Sequence, residues 1–154
     1  MSLKIENLVG GYQNVPVIKG LNLEINPGEV VALIGLNGAG KSTTIKEILG
    51  LLRPLSGEIS LNGITITKDP QNFKQQIALI PETPVLYPEL TLKEHLELTM
   101  LAYNLPVEET RARAQKLLKL FRLDNKEDWL PIHFSKGMKQ KVMIVNAFLA
   151  DAQL

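Results

Sequence analysis

The feature that most constrains this 154-residue chain is a glycine-rich loop that directly follows an apolar run. The run covers residues 30–34, and the loop reads Gly35-Leu36-Asn37-Gly38-Ala39-Gly40-Lys41-Ser42-Thr43, which matches the Walker A pattern G-x-x-x-x-G-K-[ST]. A continuous β-branched run is typical of a strand buried in a parallel sheet. The apolar spacing after Ser42 predicts a helix that stops near Pro54. The sequence therefore predicts strand, loop and helix in an α/β fold.

This loop, residues 35–43, is called the phosphate loop below, because its composition suits a triphosphate. Glycines allow the chain to curl so that several backbone amides converge on one anion. The helix that follows directs the positive end of its dipole at the same place. We expect Lys41 to reach the β- and γ-phosphates and the Ser42 hydroxyl to bind Mg²⁺. The loop alone leaves transporter ATPases, kinases and GTPases open.

Composition limits the other function classes. The net charge of +1 predicts no strong attraction to nucleic acid or to an anionic membrane, and the absence of cysteine excludes a disulfide framework. No apolar run approaches the roughly 18 residues that span a bilayer, and the first residues do not form a signal peptide. If the protein serves a membrane process, we expect another chain to cross the membrane.

Local patterns predict a strand-rich first part, at about residues 1–85, and a helical second part, at about residues 86–154. Strands are predicted from Leu3, at 15–23, at 58–61 and 64–67 around the turn Asn62-Gly63, and at 76–80. Helix starts are predicted at Thr91, whose spacing to Glu94 forms a capping box, at Pro106 and at Ser135. His95 is predicted to be a surface residue, and Trp129 is predicted to anchor the helical core.

Three segments near the phosphate loop give a family resemblance. Gly11-Tyr12, Val17 and residues 27–43 resemble the opening of an ABC-transporter nucleotide-binding domain. The resemblance implies a P-loop NTPase fold, with a RecA-like core, an N-terminal antiparallel β part and a helical subdomain. It also implies that Tyr12 stacks on adenine, with Val17 as an apolar neighbour.

A later stretch is similar to the LSGGQ-type signature of that family: Phe134-Ser135-Lys136-Gly137-Met138-Lys139-Gln140-Lys141. In the family this segment opens a helix that faces the γ-phosphate held by a second nucleotide-binding subunit, so the resemblance implies a dimer with ATP at its interface. Lys136 replaces a glycine, and a lysine there could assist phosphate binding or hinder close approach.

Glu82 stands where family members usually have a glutamine that contacts Mg²⁺ and the attacking water. A glutamate ligates Mg²⁺ more strongly but donates no hydrogen bond unless protonated. The resemblance therefore implies a metal-sensing role for Glu82, which joins Lys41 as a candidate catalytic residue. The variant Pro81-Glu82-Thr83-Pro84 resembles the Ecs-type ATP-binding subunits of Gram-positive bacteria.

Other family elements are not found in the sequence. After the signature, no apolar run ends in Asp-Glu as the Walker B strand does, and no switch histidine follows. The resemblance covers about the first two-thirds of a family domain, and truncation or an incomplete gene model is favoured over a natural short protein. In the family, the strands between residues 30–34 and 76–80 come from the later part. We therefore expect these two segments to lack neighbours and the chain alone to be inactive.

The implied function is that of an ATP-binding subunit that couples ATP binding and hydrolysis to transport by a separate transmembrane subunit. The implied location is cytoplasmic and peripheral, on the inner face of the cell membrane, with residues 87–95 contacting the membrane subunit. A small-molecule kinase would share Lys41 and Ser42, but the signature-like stretch argues against it. A non-catalytic binding module remains the other alternative, and a hydrolysis assay beside a binding assay separates the two.

Overall fold

The computed structural model describes residues 2–154, which form two compact units. The first contains the described residues up to Ile77 together with Gln153–Leu154, and the second is Ala78–Ala152. Each unit is built around its own cluster of buried apolar side chains. None of the helices described for residues 2–154 combines the length and the apolarity that crossing a membrane requires.

The first unit contains an antiparallel four-stranded sheet with the order β2-β1-β3-β4. Its strands are β1 (Leu3–Tyr12), β2 (Val15–Ile25), β3 (Ser56–Leu61) and β4 (Ile64–Thr65). Two tight turns set the register, and each has two residues at positive φ: Gln13 and Asn14 at 51° and 64°, and Asn62 and Gly63 at 50° and 77°. The predicted Asn-Gly hairpin is confirmed, as is the antiparallel β part.

Alternation along these strands builds the first core. Leu3 and Ile5 of β1 are buried with Ile59 and Leu61 of β3, as expected when alternate side chains point to one face. Leu8 joins them because the register of β1 shifts between Ile5 and Leu8. The short helix α2 (Pro70–Gln75) adds Phe73 to this core. Its first turn is capped by Asp69, whose side chain accepts from the Asn72 amide at 3.1 Å.

Helix α1 (Lys41–Ile48) follows the phosphate loop, as predicted, but it is shorter than the apolar spacing indicated. The amide of Leu49 bonds back into the last turn, and Gly50 then turns the chain with a φ of 66°. A glycine in this conformation commonly ends a helix.

Two strand predictions are wrong for the described chain. Residues 30–34 and 76–80 form no strand, and no backbone hydrogen bond joins 30–34 to another segment within residues 2–154. Val30 is 98% exposed and Ile34 is 92% exposed, although both are strongly apolar. A parallel strand exists only through the ladder to its neighbours, and residues 2–154 place no strand beside either segment.

The second unit is helical, with α3 (Leu92–Ala102), α4 (Val107–Phe121), a short 3₁₀ turn (Pro131–His133) and α5 (Lys136–Ala150). The capping box is confirmed: Thr91 Oγ1 accepts from the Glu94 amide, and Glu94 Oε2 accepts from the Thr91 amide at 2.7 Å. Ser135 caps α5 by accepting from the Met138 amide at 3.2 Å. The three helices bury a shared core that includes Leu96, Leu118, Val142 and Val145.

Two single residues differ from their predictions. His95 is only 5% exposed. Its Nε2 accepts from the Tyr87 amide at 3.0 Å, so its Nδ1 carries the proton and donates to the Thr91 carbonyl at 2.8 Å. Trp129 is 40% exposed and stacks on Phe134 with ring centroids 6.0 Å apart. His95 therefore fixes the loop before α3, and Trp129 covers the edge of the helical core without filling it.

Glu47 is the buried acid of the first unit. It lies on α1 against β1, and neither carboxylate oxygen has a hydrogen-bond partner of ordinary geometry among the described residues. Burial raises the pKa of Glu47 above its ordinary value, and the nearby Gly11 amide opposes that rise. A side chain at Gly10 would overlap Glu47, because a Cβ there would lie 2.1 Å from Oε1.

The buried acid predicts a pH-dependent stability. Because the folded-state pKa of Glu47 is raised, its contribution to the free energy of unfolding is present below the unfolded value of about 4.5 and is lost as pH rises through the folded pKa. We expect Glu47→Gln to flatten this decline in chemical denaturation measured from pH 4 upward. Glu58→Gln, at an exposed position of β3, is the control. An unchanged pH slope in Glu47→Gln would contradict the assignment.

Candidate functional site

The first unit has a cleft of about 340 Å³ at the phosphate loop. One wall comes from the β1–β2 hairpin, which supplies Tyr12 at the end of β1 and Val17 on β2. The other wall is the loop and the start of α1. The full lining is Tyr12, Val17, Asn37, Gly38, Ala39, Gly40, Lys41, Ser42 and Thr43. The structure thus brings together the residues that the sequence proposed for nucleotide binding in the first unit, apart from Gly35.

The loop has the backbone geometry of an anion-binding concavity. Gly38 and Gly40 have φ values of 82° and 89°, a conformation that side-chain-bearing residues rarely adopt. Between them, the Ala39 amide donates to the Leu36 carbonyl at 3.2 Å. Gly40 is also tightly packed, because a Cβ there would lie 3.1 Å from Ile18. Such alternation of handedness directs successive amides into one hollow.

Lys41 lies across the mouth of this hollow. Its ammonium donates to the Gly35 carbonyl at 2.7 Å and to the Leu36 carbonyl at 2.9 Å. An ammonium has three donors, so a third N–H remains for an anion. The two carbonyl contacts hold the charge at the loop, and Gly35 takes part through its backbone although it does not line the cleft.

The hydroxyls at the start of α1 have different surroundings. Thr44 Oγ1 donates to the Gly40 carbonyl at 3.0 Å and is buried, so it is committed to the helix. Ser42 is exposed, and no hydrogen bond engages its hydroxyl within residues 2–154. The Ser42 hydroxyl therefore fits the hard oxygen ligand that Mg²⁺ prefers when it bridges to phosphates. When bound, the ion would supply charge neutralisation for the phosphate oxygens.

Tyr12 presents an aromatic ring beside the loop. Tyr12 is 45% exposed, and its phenol oxygen is 3.4 Å from Lys46 Nζ, with Thr43 also beside the phenol. These two contacts, the one with Thr43 foremost, lower the pKa of Tyr12 below its ordinary value. An exposed ring with its hydroxyl held in place suits stacking on a planar base.

The signature-like residues lie in the second unit, at the start of α5. Ser135 is the N-cap, and the exposed residues Lys136 and Gly137 form the first turn, whose amides have no acceptor inside a helix. A Cβ at Gly137 would meet nothing within 4 Å, so packing does not require glycine there. Phe134 is buried, whereas Met138, Lys139 and Gln140 are half-buried on the helix.

Glu82 also belongs to the second unit, where it is exposed and makes no hydrogen bond to the rest of the described chain. The residue before it is held in place, because Gln140 Nε2 donates to the Pro81 carbonyl at 3.1 Å. This bond ties the signature helix to the segment that carries Glu82. Sequence patterns did not predict it, since 59 residues separate the two partners.

Two further features lie outside the predicted site. A larger cavity of about 610 Å³ in the first unit is lined by Glu47, Arg53 and Glu58 among others, and it includes no residue of the phosphate loop. Across residues 2–154, no three His, Cys, Asp or Glu side chains are close enough to hold a metal ion.

Comparisons with known proteins agree with this geometry. The family described as ABC transporter matches residues 18–154. The ABC-type transporter ATP-binding protein EcsA of Bacillus subtilis is 55% identical over 99% of this chain and 62% of its own length, and the SkfA peptide export ATP-binding protein SkfE of the same organism is 36% identical over 99% and 63%. The Ecs-type resemblance predicted from the sequence is confirmed.

A solved structure described as the ATP-binding subunit of an ABC transporter superposes with a TM-score of 0.94, at 52% identity, over 99% of this chain and 63% of that chain. CbiO1 from Clostridium perfringens, described as part of the ABC transporter complex cbiONQ, gives a TM-score of 0.80 at 28% identity over 97% and 62%. The P-loop NTPase fold class is therefore confirmed.

The chain spans about three-fifths of the length of the relatives it matches. The family match still covers residues 18–154, which include the phosphate loop and the signature-like segment. This chain therefore belongs to the ABC transporter family.

Proposed function

We propose that this chain binds Mg-ATP in the cleft of the first unit and serves as part of a subunit that couples ATP binding and hydrolysis to transport. The observation that carries the proposal is the cleft itself. In it, Tyr12, which is 45% exposed, and Lys41 line one concave surface. The ring offers a stacking surface for adenine, and the loop offers amides and positive charge for the triphosphate.

Each residue has one part in this proposal. Tyr12 and Val17 contact the base, and the backbone of Gly38, Ala39 and Gly40 with Lys41 holds the phosphates. Ser42 binds Mg²⁺, and Glu82 senses the metal and the attacking water from its own segment. Residues 1–85 and 86–154 act as the α/β and helical parts of one nucleotide-binding domain.

The signature-like residues serve a second subunit. The exposed first turn of α5, with Ser135 and the Gly137 amide, is complementary to a phosphate held by another nucleotide-binding subunit. Gly137 supports this reading, because neither its packing nor its φ requires glycine. An absent side chain instead lets another molecule approach the backbone closely. Lys136 adds a positive charge beside that phosphate.

The membrane partner is proposed to contact the loop before α3. Val85 and Tyr87 are exposed apolar side chains in this loop, and His95 holds the backbone of Tyr87. A transmembrane subunit would dock there at the inner face of the cell membrane, which gives the chain a cytoplasmic, peripheral location. No part of the proposal involves nucleic acid.

Lys41→Ala tests the phosphate site. We expect ATP affinity in the full-length protein to fall by on the order of 100-fold or more, because a charge-assisted hydrogen bond to the triphosphate is lost. Titration calorimetry with ATP and Mg²⁺ measures the loss, and Lys68→Ala, at an exposed lysine outside the cleft, is the control. Near wild-type affinity in Lys41→Ala would contradict the site.

ATP binding without any hydrolysis in the full-length protein would favour the binding-module alternative.

Gly137→Ala separates packing from function at the start of α5. Alanine fits the open space there and favours the helix, so we expect the free energy of unfolding to stay the same or to rise by up to about 1 kcal/mol. ATP hydrolysis by the full-length protein with its partners should nevertheless fall by on the order of 100-fold, as when an oxyanion donor is displaced. Glu108→Ala, at the equivalent second position of α4, is the control. Full hydrolysis in Gly137→Ala would argue against the signature role.

Single cysteines test the membrane partner, since the chain contains none of its own. We expect a cysteine at Tyr87 or Glu89, both exposed, to crosslink to a co-expressed transmembrane subunit. A cysteine at Leu120, which is exposed on α4, gives the background. Equal crosslinking at the three positions, scored by the mass of the adduct, would place the docking surface elsewhere.

A further inference from the structure

Helix α1 presents three side chains to the end of β1. Thr43, Lys46 and Glu47 are three and four residues apart, so they share one face of the helix. Thr43 and Lys46 contact the phenol of Tyr12. Glu47 lies against Gly10 and Gly11, which directly precede Tyr12 in the chain. One helix face therefore contacts both the Tyr12 side chain and the backbone that carries it.

The position of Lys46 relative to the ring is informative. Its Nζ is 3.4 Å from the phenol oxygen but 5.6 Å from the ring centroid. A cation centred above the ring would be closer to the centroid than this, so the ammonium lies at the hydroxyl end. This placement restrains the ring at its hydroxyl and keeps the ammonium away from the centre of the ring.

Packing of the core does not explain the contact. Tyr12 and Lys46 are both exposed, whereas the apolar core of the first unit is formed by other residues. An exposed tyrosine would ordinarily sample several rotamers, and a base that stacks on it must then bear the entropy cost of ordering the ring. The hydrogen bond from Lys46 to the phenol restricts the rotamers before any base arrives, and Thr43 is a second neighbour of the same hydroxyl.

We propose that Lys46, together with Thr43, is a positioning residue for the nucleobase: it holds the Tyr12 ring in the orientation that stacks on adenine. The inference rests on the proposed ATP site. It adds that α1 serves both ends of the nucleotide, because Lys41 and Ser42 begin the same helix. A shift of α1 would then change the base site and the phosphate site together.

The test compares two ligands in the full-length protein. Lys46→Met keeps the length of the side chain and its helix propensity but removes the charge and the donor. We expect it to weaken ATP binding by about three- to tenfold, the size of one hydrogen bond at an exposed site. Binding of inorganic tripolyphosphate, which has no base, should not change. Lys46→Arg should restore ATP affinity, and Lys68→Met should behave as wild type.

Two more measurements report on Tyr12 itself. Tyr12→Phe keeps the ring without the hydroxyl, so it should show the same selective loss, and adding Lys46→Met to it should cause no further loss. Nuclear magnetic resonance of ¹³Cζ-labelled tyrosine should show the pKa of Tyr12 rising towards its ordinary value in Lys46→Met. A merely structural role of Lys46 would not produce this combination.

Three outcomes would overturn the inference. ATP affinity that is equal in Lys46→Met and Lys68→Met would show that Lys46 does not position the ring. An equal loss for ATP and tripolyphosphate would show that Lys46 acts on the phosphates. Wild-type ATP affinity in Tyr12→Ala would remove the base site from the proposal and this inference with it, while Lys41→Ala would still report whether the phosphate site stands.

Discussion

Lys41 holds the phosphate loop together by donating to two of the loop's own carbonyls, those of Gly35 and Leu36. A loop rich in glycine has much conformational freedom to lose, and these two charge-assisted bonds restrict that freedom before a ligand binds. Lys41 also lines the cleft. The proposed binding of a triphosphate would therefore require little rearrangement of the loop, because Lys41, the positive-φ glycines and the start of α1 already surround one hollow.

The features that the sequence predicted well are those encoded by neighbouring residues. The turn Asn62-Gly63 forms the hairpin, and the caps Thr91 and Ser135 begin their helices, because each depends on side chains within three positions of the backbone they bond. The phosphate loop is also encoded by residues that are neighbours in the chain. Its glycines and Lys41 lie within one turn, so the pattern and the geometry coincide.

The features that were missed depend on residues far apart in the chain. Residues 30–34 have strand-like composition, yet Val30 and Ile34 stay exposed because residues 2–154 place no strand beside them. His95 is buried by its fit between Thr91 and the Tyr87 amide, which helical spacing does not reveal. The contact between Lys46 and Tyr12 joins residues 34 positions apart. The sequence thus predicted the individual pieces of the cleft, but not the side chains that hold those pieces together.

Glu47 lies between α1 and the end of β1, next to the wall of the cleft that Tyr12 forms. A buried carboxyl without a good hydrogen-bond partner lowers the free energy of unfolding. If this face of α1 did nothing but pack against β1, an apolar residue in place of Glu47 would make the protein more stable. The oxygens of Glu47 fill the space that Gly10 leaves open, and its neighbour one position earlier, Lys46, reaches the phenol of Tyr12. The distance between the end of β1 and α1 is therefore set by Gly10, Gly11 and Glu47. The Tyr12 ring is contacted separately, by Thr43 and Lys46. A side chain at Gly10 would act on this spacing first through Glu47, because the carboxylate must give up the space that the glycine leaves open beside the strand that carries Tyr12.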